Sequence, residues 1–271
     1  MRRIPNSNFE LKKTEPWIKR SPFESNLYHS ISLLLPVYEH ALIEYVCASG
    51  LPPKGKVYDE AVLLLKHERS HGKVYSKYNK ILEDSGYRFG IITALAKANA
   101  SIVGKLASKS IKLEICAAAE HLTAMVAVYF KEEYQRYREG SNEVVRELWH
   151  WHAIEELEHS AAAFDLASYH KYSYSGRILA LFLVSAWLIL PMVTLGTLLL
   201  SMQDRSIFTL RFWKNAGYTL FRKGGLFSKF FSESLLFLRP KFDPVRPDYQ
   251  EHISYYDQME KEKLLQNSKS A

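Results

Sequence analysis

Residues 148–165 constrain the fold more than any other part of the chain. They interleave His150, His152 and His159, and Glu155, Glu156 and Glu158, with Trp149 and Trp151. On a helix, which advances about 100° per residue, His152, Glu155, Glu156, His159 and Ala163 share one face. The tryptophans make this helix too apolar to be left in water, so its ionisable stripe faces inward. Buried carboxylates are rarely left unpaired, and a metal ion is the simplest partner for so many donors. Matching ligands must then come from elsewhere in the chain.

Apolar periodicity elsewhere predicts helices, and no alternating run is long enough for a sheet. With 47% hydrophobic and 24% charged residues over 271 positions, the chain is globular, with room for one substantial domain and an appendage. Residues 1–26, with Pro5, Pro16 and Pro22, read as an extended polar arm without the apolar core of a signal peptide. Helices are expected over about 27–49, 57–84, 88–107, 110–138 and 142–170, separated at 50–55, Gly86, Ser108/Ser110 and 140–142. The order is helix, short turn, helix, long connection, helix, short turn, helix. It predicts an all-α, ferritin-like four-helix bundle over 27–172, two antiparallel hairpins joined by a partly helical crossover. Cys47 and Cys116 lie in apolar runs without metal-ligand spacing, which suits a reducing compartment.

Di-iron and di-manganese bundles take one Glu from each of two helices and a Glu-x-x-His from each of the other two. The second helix offers Glu68-x-x-His71 and the last offers Glu156-x-x-His159; the first offers Glu39 and the third Glu120. Each sits roughly 10 to 20 residues from the nearest hairpin turn, or about 15–30 Å at the helical rise, so all four can meet at one level. Any one of them alone would read as a salt-bridged or surface pair. Four pieces that agree in type, order and depth point to a metal site. His152, one turn before Glu156, is a further candidate ligand. Glu155 is either a bridging carboxylate or a group that orients an imidazole. His40, His121 and Glu158 read as non-ligating neighbours, and His150 and Glu44 as surface or packing residues.

A third imidazole at His152 is similar to the extra histidine of the di-iron N-oxygenases that convert aryl amines to nitro compounds. The chain as a whole resembles the bacterial family labelled predicted metal-dependent hydrolases, a ferritin-like group. The motifs are Arg2-Arg3-Ile4-Pro5, Pro36-x-x-Glu39, Glu68-x-x-His71 with Tyr78-Asn79, and Glu120-His121-x-Thr123. Trp149-x-Trp151-His152-x-x-Glu155-Glu156-x-Glu158-His159 with Ala163-Phe164-Asp165 is the most specific, and Arg239-Pro240-Lys241-Phe242-Asp243-Pro244 extends the resemblance over nearly the whole chain. The family pattern has a second histidine where this chain has Tyr75, so a tyrosine hydroxyl stands in for an imidazole. Glu155, His121, Tyr75 and Asp165 are expected around the ligands.

Residues 178–200 contain no charge and are long enough to span a bilayer core, Pro191 and Gly196 notwithstanding. The competing reading is a buried fifth helix. Between Arg205 and Arg246 stand nine basic and two acidic residues, so the net charge of +7 belongs entirely to this segment. Ten aromatic residues over 205–242 accompany it, a mixture that suits an anionic membrane interface better than nucleic acid. Residues 173–246 are therefore expected to be membrane-associated, on the cytoplasmic side, and 247–271 to form a polar tail.

Four carboxylates with two or three imidazoles and no thiolate make a hard site for two metal ions, iron first, with manganese or zinc as alternatives. The expected activity is oxygen activation by a di-iron centre on an apolar or lipid-like substrate, fed by an electron donor. Hydrolysis by a metal-bridged hydroxide is the alternative. A non-catalytic metal-binding bundle is the second alternative, less fitting because the apolar segment would obstruct a soluble shell.

Overall fold

The computed structural model describes residues 2–5 and 8–269; Met1, Asn6 and Ser7 of the expected arm, and Ser270 and Ala271 of the expected tail, lie outside the described residues. The fold is all-α. Helices α1 (Pro22–Ser49) and α2 (Lys56–Asp84) form one hairpin, α4 (Lys109–Arg138) and α5 (Glu143–His159) a second, and α3 (Gly90–Leu106) lies in the crossover. The most extensive helix packing is between α1 and α2, followed equally by α4 with α5 and by α1 with the later helix Leu190–Gln203.

Two expected boundaries moved, each for a local reason, and the arm differs in burial. Helix α1 starts at Pro22 rather than near residue 27 because proline is suited to the first helical turn, where its missing N–H is not needed. The expected single helix over 142–170 is two, α5 and α6 (Ala162–Tyr169), separated at Ser160-Ala161, where Ser160 Oγ donates to the Leu157 carbonyl. The N-terminal arm is less polar than it reads. Trp17 and Ile18 are buried, and the arm is tied to the α4–α5 turn by bonds from Lys19 N to Gly140 O and from Asn142 N to Trp17 O. Ser108 and Asn142, expected at breaks, are N-caps that accept from Ile111 N and Val145 N.

Pro36 lies inside α1 and leaves the Ser32 carbonyl without its helical donor. Asn79 of α2 supplies one: its Nδ2 donates to Ser32 O at 2.7 Å while Ser32 Oγ donates to Asn79 Oδ1 at 2.9 Å. This clamp fixes α1 against α2 close to Glu39.

The apolar segment is a continuous helix, Tyr174–Gln203, made of α7 (Tyr174–Leu183), a π-helical turn (Val184–Ile189) ahead of Pro191, and α8 (Leu190–Gln203). Tyr38 OH donates to the Leu188 carbonyl in the widened turn. Helix α7 packs on α4 and α8 on α1. At Gly196 the approach is so close that a Cβ would stand 2.1 Å from Ser30 Oγ. Only 28% of the segment's most apolar window is buried, so it is not the buried fifth helix of the competing reading. Helices α9 (Leu210–Phe221) and α10 (Leu226–Phe237) follow, packed on α1 and α4, and the expected polar tail contains α11 (Pro247–Lys269), packed on α5.

Exposed apolar side chains gather on the outer surfaces of α3, α7–α8, α9 and α10, with Leu106, Phe182, Phe221 and Leu235 each more than 60% exposed. Among the described residues, Pro22–Ser49, Lys109–Arg138 and Tyr174–Gln203 are long and apolar enough to cross a membrane. Part of the basic surplus is internal: Arg222 pairs with Glu133, Lys229 with Glu132, and Arg246 with Glu233 and Asp248. Arg205, Arg211, Lys214, Lys223, Arg239 and Lys241 are exposed.

Candidate metal centre

The hairpins bring Glu39 from α1, Glu68 and His71 from α2, Glu120 from α4, and His152, Glu156 and His159 from α5 into one buried cluster. The i, i+3 spacing sets Glu68 beside His71 and Glu156 beside His159 on single helix faces. Glu68, His71, Glu156 and His159 can each offer one donor atom such that all lie within 4.8 Å of one another, and so can Glu39, His71 and His152.

The separations are those of ligands, not hydrogen bonds. His71 Nδ1 stands 3.6 Å from Glu68 Oε1, 3.5 Å from Glu156 Oε1 and 3.9 Å from Glu39 Oε1. His152 Nε2 is 3.5 Å from Glu156 Oε1, and His159 Nε2 is 3.5 Å from Glu68 Oε1. Two donors each about 2.1 Å from a shared ion stand at most about 4.2 Å apart. Among the described residues, both Glu39 oxygens, Glu68 Oε1, His71 Nδ1 and His159 Nε2 are buried without a hydrogen-bond partner. Buried polar atoms are seldom left so, and these converge on one another. The residues present fit a metal centre.

Two carboxylates hold imidazoles from behind. Glu155 Oε2 lies 3.0 Å from His71 Nε2, the nitrogen facing away from the cluster, and Glu155 Oε1 accepts from the backbone N–H of Arg2. This suits the orienting role for Glu155 over the bridging one, since a carboxylate behind a ligating imidazole fixes its ring and tautomer. Glu120 was expected among the ligands, but its Oε2 is 2.9 Å from His159 Nδ1, the same position relative to that ring. Tyr75 is buried with its ring 4.9 Å from that of His152.

Other expected neighbours lie elsewhere. His121 turns outward to α10, its Nε2 2.9 Å from the Glu233 carbonyl and its ring stacked on Phe237, because α10 packs on that side of α4. Glu158 is exposed and pairs with Arg2. Asp165 is half-buried on α6 near Glu60 and Lys56, away from the cluster. His40 and Glu44 pair on the exposed side of α1. His150, read as surface or packing, is buried 2.5 Å from Lys131 Nζ. His67 was missed. Buried one turn before His71, it has its Nε2 3.7 Å from Glu155 Oε1 and its ring 5.3 Å from that of His159. The signal was available as His67-x-x-x-His71, two imidazoles on one face of an otherwise charged helix.

Gathering four acids in a dry site makes their charges compete. Burial, then the charge of Glu68, pushes the Glu39 carboxyl well above its usual range, and the same causes raise Glu120. Burial lifts Glu156 to about 7. Burial opposes ionisation of Glu68 too, but the adjacent His71 cation holds it low. Burial opposes the His71 cation in turn, yet its bond to Glu155 and the charge of Glu68 hold it protonated well above the ordinary histidine range. Burial and the neighbouring His71 keep His152 neutral, and burial lowers His67 to about 4. One buried imidazolium serving several carboxylates is an incomplete substitute for metal charge.

Two openings flank the cluster. A cavity of about 700 Å³ runs from Glu39, Glu68, Glu120, His152 and Glu156 between α1, α4, α8, α9 and α10 to Trp213, Gly217 and Phe221 on the apolar face. A cleft of about 410 Å³ lined by Arg2, His67, Glu158 and Gln250 opens beside α2, α5 and α11.

A family model described as predicted metal-dependent hydrolase matches residues 1–248. No curated protein and no solved structure matches the chain. The likeness to the aryl-amine N-oxygenases thus rests on His152 alone.

Proposed function

Given that the chain belongs to the predicted metal-dependent hydrolase family, we propose that it is a membrane-associated enzyme with a dinuclear, oxygen-activating iron centre held by the Glu/His cluster. One observation carries the reading: six buried residues, with more oxygen and nitrogen donors than one ion requires, converge in two overlapping groups without a thiolate. Bound there, a pair of ions supplies Lewis acidity and, if iron, redox chemistry toward dioxygen.

The chain's residues supply the rest. Glu39, Glu68, Glu156, His71, His152 and His159 bind, while Glu155 and Glu120 fix the His71 and His159 rings. The apolar walls of the larger cavity keep bulk water from the reacting side. Electrons for oxygen chemistry would come from a separate donor. The apolar outer surfaces of α3 and α7–α10 rest in one leaflet, and the exposed Arg211 and Lys214 meet anionic headgroups. Because Tyr174–Gln203 packs along α4 and α1, we read it as lying on this face rather than crossing the bilayer. Free Cys47 and Cys116 agree with the cytoplasmic side.

Hydrolysis by the same residues is the second reading, favoured by the family's description and by the polar cleft at His67, through which water can approach. Anaerobic purification, metal analysis and Mössbauer spectroscopy before and after oxygen separate the two. Two irons per chain that oxidise together support the proposal. Zinc with ester or phosphoester turnover, indifferent to oxygen, overturns it in favour of hydrolysis.

A further inference from the structure

We propose that the larger cavity is the substrate site, that it takes a neutral single-chain molecule of about twenty heavy atoms, and that Gly217 forms its mouth. The proposal rests on the metalloenzyme reading and adds the substrate class. The cavity holds about 700 Å³, and a water-sized group occupies about 30 Å³, so one long chain fits and a two-chain lipid does not.

The lining fixes the chemistry. Between mouth and cluster the hydroxyls of Tyr38, Tyr45, Thr123 and Thr197 are each committed to main-chain carbonyls, at 3.0, 3.0, 3.0 and 2.8 Å. Among the described residues no lysine or arginine lines the cavity. A charged or bulky polar head therefore finds no partner along the way, and an unpaired buried charge is strongly disfavoured. Among the described residues, the carboxylates and His152 at the inner end gather the largest group of polar atoms on the lining, so the polar function of a ligand belongs there. A chain with one small neutral terminal group, such as an alcohol, aldehyde or ester, satisfies both ends.

The entrance has its own signature. Helix α9 shows an exposed apolar stripe of Leu210, Trp213 and Phe221, broken at Gly217, one turn from each aromatic residue. Gly217 is exposed, lines the cavity, and has nothing within 4 Å of where a Cβ would stand. Glycine is a poor helix former with no conformational reason to be here. Its missing side chain leaves the gap that opens the cavity onto the apolar face.

The test uses the full chain, metal-loaded and exchanged into amphipol, with the neutral dye 1-aminoanthracene as reporter. Hexadecan-1-ol should displace the dye and hexadecylphosphocholine should not. Gly217→Trp should weaken displacement at least tenfold with metal content unchanged and the unfolding midpoint equal or higher, because the new ring enters open space. Failure of hexadecan-1-ol to displace, equal displacement by the phosphocholine, or wild-type binding by G217W overturns the proposal. Wild-type protein that binds no metal would instead sink the metalloenzyme reading, so the two failures are distinguishable.

Discussion

Replacing Glu39 by Gln should stabilise the metal-free protein and weaken its response to metal. Glu39 is 6% exposed, neither oxygen has a hydrogen-bond partner among the described residues, and its nearest ion-pair partner is His71 Nδ1 at 3.9 Å. An unfolded glutamate ionises near 4.5, whereas burial and Glu68 hold this carboxyl well above that. At neutral pH the ionised form thus opposes folding, and Gln removes the charge at constant shape. An unsatisfied buried polar group costs about 1–3 kcal/mol, more when charged. The amide still lacks a full set of partners, so the net gain is on the order of 1–2 kcal/mol. At roughly 2–4 °C per kcal/mol for a chain of this size, the metal-free midpoint should rise by roughly 2–8 °C. Metal acts in the other direction. At a hundred times Kd it stabilises wild type by about 2.7 kcal/mol. Loss of a ligand should weaken affinity by at least the roughly 10–100-fold seen for groups behind ligands, which removes about 1.3–2.3 kcal/mol of that gain. Circular dichroism melts in detergent, with chelator or with anaerobic Fe(II) or Mn(II), read both quantities. A lower metal-free midpoint with an undiminished metal shift would refute the reasoning.

Three further outcomes follow from the same structure. Between about pH 6.5 and 7.5, Glu39, Glu120, Glu156 and His71 retain protons in the folded, metal-free protein that the unfolded chain has released, so stability falls as pH rises; metal should flatten this slope, and a rising metal-free slope would contradict the assignment. His67, His152 and His29, whose folded values are low, contribute the opposite sign, small at about pH 7.5 and growing as pH falls through about 6.5, where their unfolded forms protonate. Glu155→Ala should leave every ligand in place yet lower metal affinity by roughly 10–100-fold, measured by competition with a chelating dye; unchanged affinity would show that His71 needs no support. Asn79→Ala should cost about 1–3 kcal/mol by orphaning the Ser32 carbonyl, and Pro36→Ala, which restores the helical donor, should recover part of it; equal costs in both backgrounds in urea melts would exclude the clamp.

What the sequence disclosed is what is local. Glu68/His71 and Glu156/His159 were legible because i, i+3 spacing alone fixes them on one face, and helix order then implied which helices could share a centre. Features that depend on docking were not legible. Glu120 counts as a ligand by position but meets the far nitrogen of His159, and only the rotation of α4 against α5 decides that. His121 is one residue from Glu120, yet α10, more than a hundred residues on, takes it out of the site. Pro22 reads as part of the extended arm because proline occurs both in extended segments and at helix starts, and the sequence does not say which. The large cavity is lined from α1 to α5 and α8 to α10, in both halves of the chain, so no single stretch announced it. Gly217 had no meaning until α9 was seen beside the cavity.

The metal content of single-site variants tests the central claim most directly. Wild type, Glu156→Ala and Glu158→Ala should be purified alike and their metal per chain measured by mass spectrometry, with circular dichroism confirming equal helicity. Glu156 is buried within 4 Å of three imidazoles, whereas Glu158, two residues on, is exposed and bound to Arg2. The account predicts two metal ions per chain in wild type and Glu158→Ala, and a clear loss in Glu156→Ala. Full metal content in Glu156→Ala, or none in wild type, would contradict it.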